Sequence, residues 1–204
     1  RPVKDAPLPL REEVSVGRAV RAVLRNGRYL ALISANFFLL LGTRAAITFL
    51  PLRFYELGGT NVHVGWAQSV NAASEIPFMF LTAVMLRRFR PRLLLLGAMF
   101  FFVVRLILVK IAASPLALVS AQAVQGISFG FLLPASVHYI DRIAPPEFRS
   151  LFQALAPSIY FGLASLVGSA TGGLFIERFG LEALYSAAPF VAAWQAGVGR
   201  VLCY

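Results

Sequence analysis

Apolar residues run through this chain in long blocks broken by short polar stretches. The blocks lie at about 31–54, 62–86, 93–112, 116–140, 151–176 and 183–203. At about 1.5 Å of rise per residue, each is long enough to cross the roughly 30 Å hydrocarbon core of a bilayer as a helix. The breaks are turn-forming or charged: "ELGGTN", "RRFRPR", "ASP" at 113–115, "DRIAPPEFR" and "ERFG". The pattern predicts an all-α, polytopic membrane protein, with a six-helix transmembrane bundle over residues 31–204. Residues 1–30 read differently. "RPVKDAPLPLR" is a Pro-rich polar linker. Residues 12–28 form a short amphipathic helix, with Val16, Val20, Val23 and Leu24 on one face and Arg18, Arg21, Arg25 and Arg28 dominating the other. Such a helix is either a solvated surface helix or one lying on a membrane.

Composition supports this picture. Hydrophobic residues make up 58% of the 204 residues and charged ones 14%, an unusual balance for a soluble domain. The single cysteine, Cys203, excludes an intrachain disulfide and a Cys-rich metal site. The chain opens on Arg1 with no signal-peptide pattern, so it is expected to continue a longer polypeptide.

The formal net charge of +10 raises nucleic acid as a partner, but its placement argues against one. Lys and Arg concentrate in alternate breaks: before the first block, in "RRFRPR" (Arg87, Arg88, Arg90, Arg92), and at Arg142 and Arg149. The opposite breaks carry only Arg53, Lys110 and Arg178. By the positive-inside rule the basic side is cytoplasmic, and an even number of spans puts both termini there. The charge is then a topology signal facing the lipid bilayer.

Three ionisable residues fall near mid-span: Arg44, Glu75 and Arg105. Each costs several kcal/mol against lipid on most scales, so each is expected to face the bundle interior or a wet cavity. Glu75 either locks helices together through an ion pair with an arginine or serves as a substrate or proton site. Pro77, two residues on, removes an N–H and clashes with the carbonyl of Ala73, predicting a kink beside Glu75. Gln122 and Gln125 share a helix face and need polar partners or a solvated cavity. Gly126 and Gly130 form G-x-x-x-G, which permits close helix approach. Gly162, Gly168, Gly172 and Gly173 are expected to form a second smooth packing face, with Ser158 and Tyr160 near a cavity. His138 and Asp141 lack the neighbours a metal would need and read as interfacial anchors. No cofactor is implied. Without a GxSxG, HExxH or GxxxxGK[ST] pattern there is no positive case for an enzyme.

Taken together, "SEIPFMF", Arg105 in "VVRLIL", "VQGISFGF", "APPEFRSLFQAL" and "GSATGGLFIERFG" resemble, in order and spacing, the C-terminal half of a major facilitator superfamily transporter. The closer likeness is to the lactose permease-like and 3-phenylpropionate permease-like branch. The resemblance covers about residues 12–190. It implies that the spans are helices seven to twelve, and that an N-terminal six-helix half is missing from this chain. "RRFRPR" looks like a degenerate cytoplasmic signature loop, without its acid and glycines. Arg105 matches the arginine that works in proton coupling in lactose permease. Gln125 and Ser128 stand where that permease has a histidine and a glutamate, leaving Glu75 as the available proton carrier. Arg44 departs from the acid expected at its level. The expectation is a secondary active transporter of the cytoplasmic membrane, a proton-coupled symporter for a small polar solute or organic anion. Substrate or proton contacts would come from Glu75, Arg105, Arg44, Gln125, Gln122 and Tyr160. Gly126, Gly130, Gly168 and Gly172 would pack helices. The rival expectation is a truncated, non-transporting remnant or assembly partner.

Overall fold

The computed structural model describes residues 16–199, and the side chains of 17–190. The linker expected over 1–11, Cys203 and the end of the last apolar block lie outside the described residues. Within them the chain is helical, with no strand: α1 (Val16–Arg25), α2 (Gly27–Thr48), α3 (Leu50–Glu56), α4 (Asn61–Met85), α5 (Pro91–Ile111), α6 (Pro115–Ile143), α7 (Arg149–Pro157), α8 (Ala164–Phe179) and α9 (Leu181–Gly199). A 3-10 turn, Pro146–Phe148, precedes α7, and a π-helical turn, Ser158–Leu163, joins α7 to α8.

Among the described residues, four stretches are long and apolar enough to cross a bilayer: Gly27–Thr48, Pro91–Ile111, Pro115–Ile143 and Pro146–Phe179. At 25 residues α4 has the length but not the apolarity. The deficit comes from Asn61, His63, Gln68, Asn71, Ser74 and Glu75, the composition of a helix with a wetted face.

Prolines act differently by position. Pro51 lacks an N–H and opposes the carbonyl of Ile47, and the first apolar block divides there into α2 and α3. Across Pro77 and Pro134 the helices α4 and α6 stay continuous. Pro157 ends α7, and the chain widens into the π-turn directly after it.

Side-chain hydrogen bonds fix the bundle's ends. Asn26 caps α2 by accepting from the Tyr29 amide at 3.1 Å, while its amide donates to the Ile143 carbonyl at 2.9 Å. The Tyr29 hydroxyl donates to the Phe152 carbonyl at 2.7 Å, so the start of α2 is tied to the end of α6 and to α7. Tyr185 of α9 donates to the Ala46 carbonyl of α2 at 2.9 Å. The apolar stripe of the leading helix is only partly engaged with the protein. Ala19 is buried and Ala22 and Val23 pack on the core, while Val20 and Leu24 stay 51% and 64% exposed. The small alanine side lets α1 sit close to α2.

α6 is the central helix, packed along its length against α4 on one side and α5 on the other. Its glycines set the α4 contact. A Cβ at Gly126 would lie 2.6 Å from the Glu75 nitrogen, and one at Gly130 would lie 2.9 Å from the Phe78 carbonyl carbon. The G-x-x-x-G pair thus faces the backbone of "SEIPF". Gly168 and Gly172 bring α8 against α2, where an added Cβ would stand 2.7 Å from the Leu41 oxygen and 2.9 Å from the Ala45 Cβ. The second glycine face is narrower than expected. Gly162 has nothing within 4 Å, and Gly173 makes only ordinary contact with Phe49 at 3.6 Å.

Gly126→Leu is expected to lower the thermal unfolding midpoint of the solubilised protein strongly. Overpacking costs about 1–3 kcal/mol where the neighbour can shift, and here the neighbour is backbone. Gly162→Ala is expected to leave the midpoint unchanged. Equal effects of the two substitutions would contradict this contact map.

Candidate functional site

The interior polar groups gather where α2, α5, α6, the π-turn and α9 meet. α5 is apolar on nearly every side, so Arg105 enters the core with it and is 3% exposed. Its Nη2 donates to Gln122 Oε1 at 2.7 Å. Gln122 Nε2 in turn donates to the Leu118 carbonyl at 3.0 Å, which orients the amide so that its oxygen faces the arginine. The guanidinium is held by a neutral acceptor, and its Nε has no partner among the described residues.

Arg44 is held by aromatic faces. The Phe129 and Phe161 rings stack at 5.9 Å with their planes 14° apart. The Arg44 guanidinium carbon lies 6.0 Å from one ring centre and 5.5 Å from the other, within cation–π range. Phe161 and the buried Tyr160 belong to the π-turn. Such turns present side chains at angles an α-helix does not, and they recur at functional sites. Arg44 Nε is also buried without a partner.

Glu75 stands apart from both arginines. It is half-buried, and its carboxylate makes no ion pair or side-chain hydrogen bond among the described residues. The expected alternative of an ion-pair lock is therefore absent from this conformation. Its backbone packs on Gly126, the residue after Gln125, which puts Glu75 within about one helical turn of the two glutamines along α6. Gln125 is 2% exposed and its Oε1 has no partner. Ser128 is satisfied within its own helix, donating to the Val124 carbonyl at 3.0 Å.

Asn36 has no place in the expected site, yet it is fully buried in α2 with neither amide atom bonded. An unsatisfied carboxamide is costly in an apolar interior. The signal was present in "LISANFFLLLG", where one amide interrupts an apolar run as Glu75 does in α4. Phe129 and Phe161 were not foreseeable, because they match the many other phenylalanines. Asp141 accepts from Gln153 Nε2 at 2.9 Å and lies 3.8 Å from Arg149 Nε, tying α6 to α7.

The arrangement holds two cations without carboxylate partners among the described residues, with unsatisfied amides in the same interior and one free acid apart from them. This suits recognition of a polar or anionic group. It offers no nucleophile paired with a base. Gln122→Leu strips Arg105 of its acceptor and is expected to destabilise the protein by about 1.5–3 kcal/mol, the worth of a hydrogen bond to a charged group. Gln125→Leu removes an amide whose oxygen is already unbonded and is expected to cost clearly less. Melting curves of both variants in detergent check the order, and a reversed order would count against the assignment.

Comparison with known proteins places this geometry. Residues 5–187 match the model of the MFS_1 like family. The maltose permease of Geobacillus stearothermophilus is 33% identical over 168 residues, covering 81% of this chain and 42% of that protein. A Mycobacterium tuberculosis protein named "Probable multidrug-efflux transporter" is 28% identical over 167 residues, covering 82% of this chain and 33% of its own length. An MFS-type transporter of Diaporthe leptostromiformis is 27% identical over 115 residues, 56% of this chain and 19% of that protein. The chain thus spans less than half the length of the curated relatives it matches. With the match covering most of its residues, and relatives named as permeases and transporters rather than enzymes, the chain belongs to the major facilitator superfamily, in its MFS_1 like family.

Proposed function

We propose that this chain is the C-terminal bundle of a secondary active transporter that carries a small organic anion across the cytoplasmic membrane together with protons. The four apolar stretches, together with α4 and α9, cross the membrane six times, with both termini cytoplasmic. An N-terminal six-helix half completes the cavity, and the two halves rock about a midplane site.

Supporting this, Arg105 and Arg44 have only a neutral amide and aromatic faces as partners among the described residues, and Glu75 has no ion pair there. Two uncompensated cations favour an anionic solute over a neutral one. In this reading Arg44, Gln125 and Tyr160 contact the solute. Arg105, oriented by Gln122, sets the potential of the site. Glu75 takes up and releases the proton, and Asn36 is a further polar contact. The maltose permease relative favours a neutral sugar instead, and the same experiment separates the two.

Transport by the full-length protein in proteoliposomes, with an imposed proton gradient, tests the reading. Glu75→Gln is expected to abolish gradient-driven accumulation while leaving solute exchange at equal concentrations intact. Arg44→Gln is expected to weaken apparent affinity for an anionic solute about tenfold or more, equivalent to losing one charge-assisted hydrogen bond. Undiminished accumulation by Glu75→Gln would exclude it as the proton carrier. Unchanged affinity in Arg44→Gln would point to a neutral solute.

A further inference from the structure

A second constellation of unpaired charge lies at one end of the bundle, outside the interior site. A cavity of about 370 Å³ is lined by Arg28 at the start of α2, Arg90, Pro91 and Arg92 at the start of α5, and Tyr139 and Arg142 at the end of α6. Two flanking cavities share these arginines. One, of about 460 Å³, adds Arg88 and the apolar Phe89, Leu93 and Leu96; the other, of about 480 Å³, adds Arg25. Among the described residues, no acid lines any of the three. The ion pairs among the described residues are Arg53–Glu56 and Arg149–Asp141, and neither involves these side chains.

Four guanidinium groups converging from three helices repel one another, and the fold spends stability to hold them there. Three further features point to what relieves the repulsion. The N-terminus of α5, the positive end of a 21-residue helix, opens at the cavity with no side-chain cap. Tyr139 is 4% exposed, and its buried hydroxyl has no hydrogen-bond partner among the described residues. The Arg92 guanidinium carbon lies 5.7 Å from the Tyr139 ring centre, a stacking contact that restrains one of the four cations. Donors of this kind from several directions suit a phosphate, which accepts from arginine in a bidentate fork.

The neighbouring surface identifies what carries the phosphate. Leu93, Leu96 and Phe100 follow the helical repeat along α5 away from the arginines, and Leu93 and Phe100 are 56% and 61% exposed. A basic pocket continued by an apolar stripe matches an amphiphile, with its headgroup at the arginines and an acyl chain along α5. We propose that this end of the bundle is a specific binding site for the phosphate of an anionic phospholipid. It is independent of the interior transport site and ties together the start of α2, the start of α5 and the end of α6.

Thermal unfolding and native mass spectrometry of the full-length protein in zwitterionic detergent test this. The probes are phosphatidylglycerol, phosphatidylcholine and inorganic phosphate. Phosphatidylglycerol is expected to raise the unfolding midpoint and remain bound in the gas phase. Phosphatidylcholine and inorganic phosphate are expected to do neither at matched concentration. The paired substitution Arg92→Gln with Arg142→Gln is expected to weaken the phosphatidylglycerol effect at least tenfold. Arg178→Gln, outside the cavity, should leave it intact, and Arg92→Lys with Arg142→Lys should weaken it while keeping the charge. Equal stabilisation by phosphatidylcholine, or an undiminished phosphatidylglycerol effect in the paired glutamine variant, would overturn the proposal. Stabilisation by inorganic phosphate that matches the lipid and disappears in that variant would overturn the lipid assignment in favour of free phosphate.

Discussion

The interior of this bundle depends on one hydrogen bond, from Arg105 to the side-chain oxygen of Gln122. A charge at mid-membrane depth costs about 2.5–3.5 kcal/mol by insertion scales, and a hydrogen bond to a charged group returns about 1.5–3. The bond therefore offsets most of the cost without neutralising the charge. A carboxylate partner would have quenched the field of Arg105. A neutral amide keeps that field in the cavity and leaves Glu75 unengaged. The self-bond from Gln122 to Leu118 matters for the same reason, since it holds the amide oxygen toward the arginine.

The position of that bond follows from how α6 is packed. Its glycine face admits the α4 backbone at Ser74–Glu75, while α5, carrying Arg105, packs along its other side. α6 thus sets the level of all three groups: the cation, its amide and the free acid. α2 is fixed separately, by the glycines of α8 and by Tyr185, and it brings Arg44 onto the Phe129–Phe161 stack. Two rigid contacts in which backbones nearly touch surround a site whose polar atoms are incompletely satisfied. That contrast suits a protein whose helices move as bodies around a fixed binding site. The arginine cavity at the bundle end belongs to the same logic, for it gathers charge from the ends of three helices without an internal counter-ion among the described residues.

Much of the fold was legible in the sequence, because a bilayer demands long apolar helices and leaves few other arrangements. The six blocks, the polar breaks and the family resemblance all follow from linear pattern. Local rules were weaker on proline. Pro51 falls where the helix divides, whereas α4 runs on across Pro77, although each proline removes one backbone donor. In α1, Val20 and Leu24 stay exposed, as on a helix at a solvent or membrane surface, while the alanine side packs on the core. The candidate site was legible as a set of anomalies but not as a set of partnerships. Arg44, Glu75 and Arg105 stand out in any apolar run. Which of them pair depends on the rotation of α5 about its axis relative to α6 and α4, which residue spacing does not encode. The G-x-x-x-G pair announces a close contact without naming the helix it meets, here the stretch that contains Glu75. Asn36 was readable by the same logic as Glu75. The two phenylalanines under Arg44 were not, since nothing marks them in a chain with 18 of that residue.

Arg105 is energetically bound to Gln122 and not to Glu75. Two double-mutant cycles on thermal stability of the purified protein measure it, one pairing Arg105→Met with Gln122→Leu and the other pairing Arg105→Met with Glu75→Gln. Contacting residues couple by about 0.5–3 kcal/mol, and pairs without shared partners add within about 0.5. Clear coupling is expected in the first cycle and near-additivity in the second. Strong coupling between Arg105 and Glu75, with additivity between Arg105 and Gln122, would contradict this pairing.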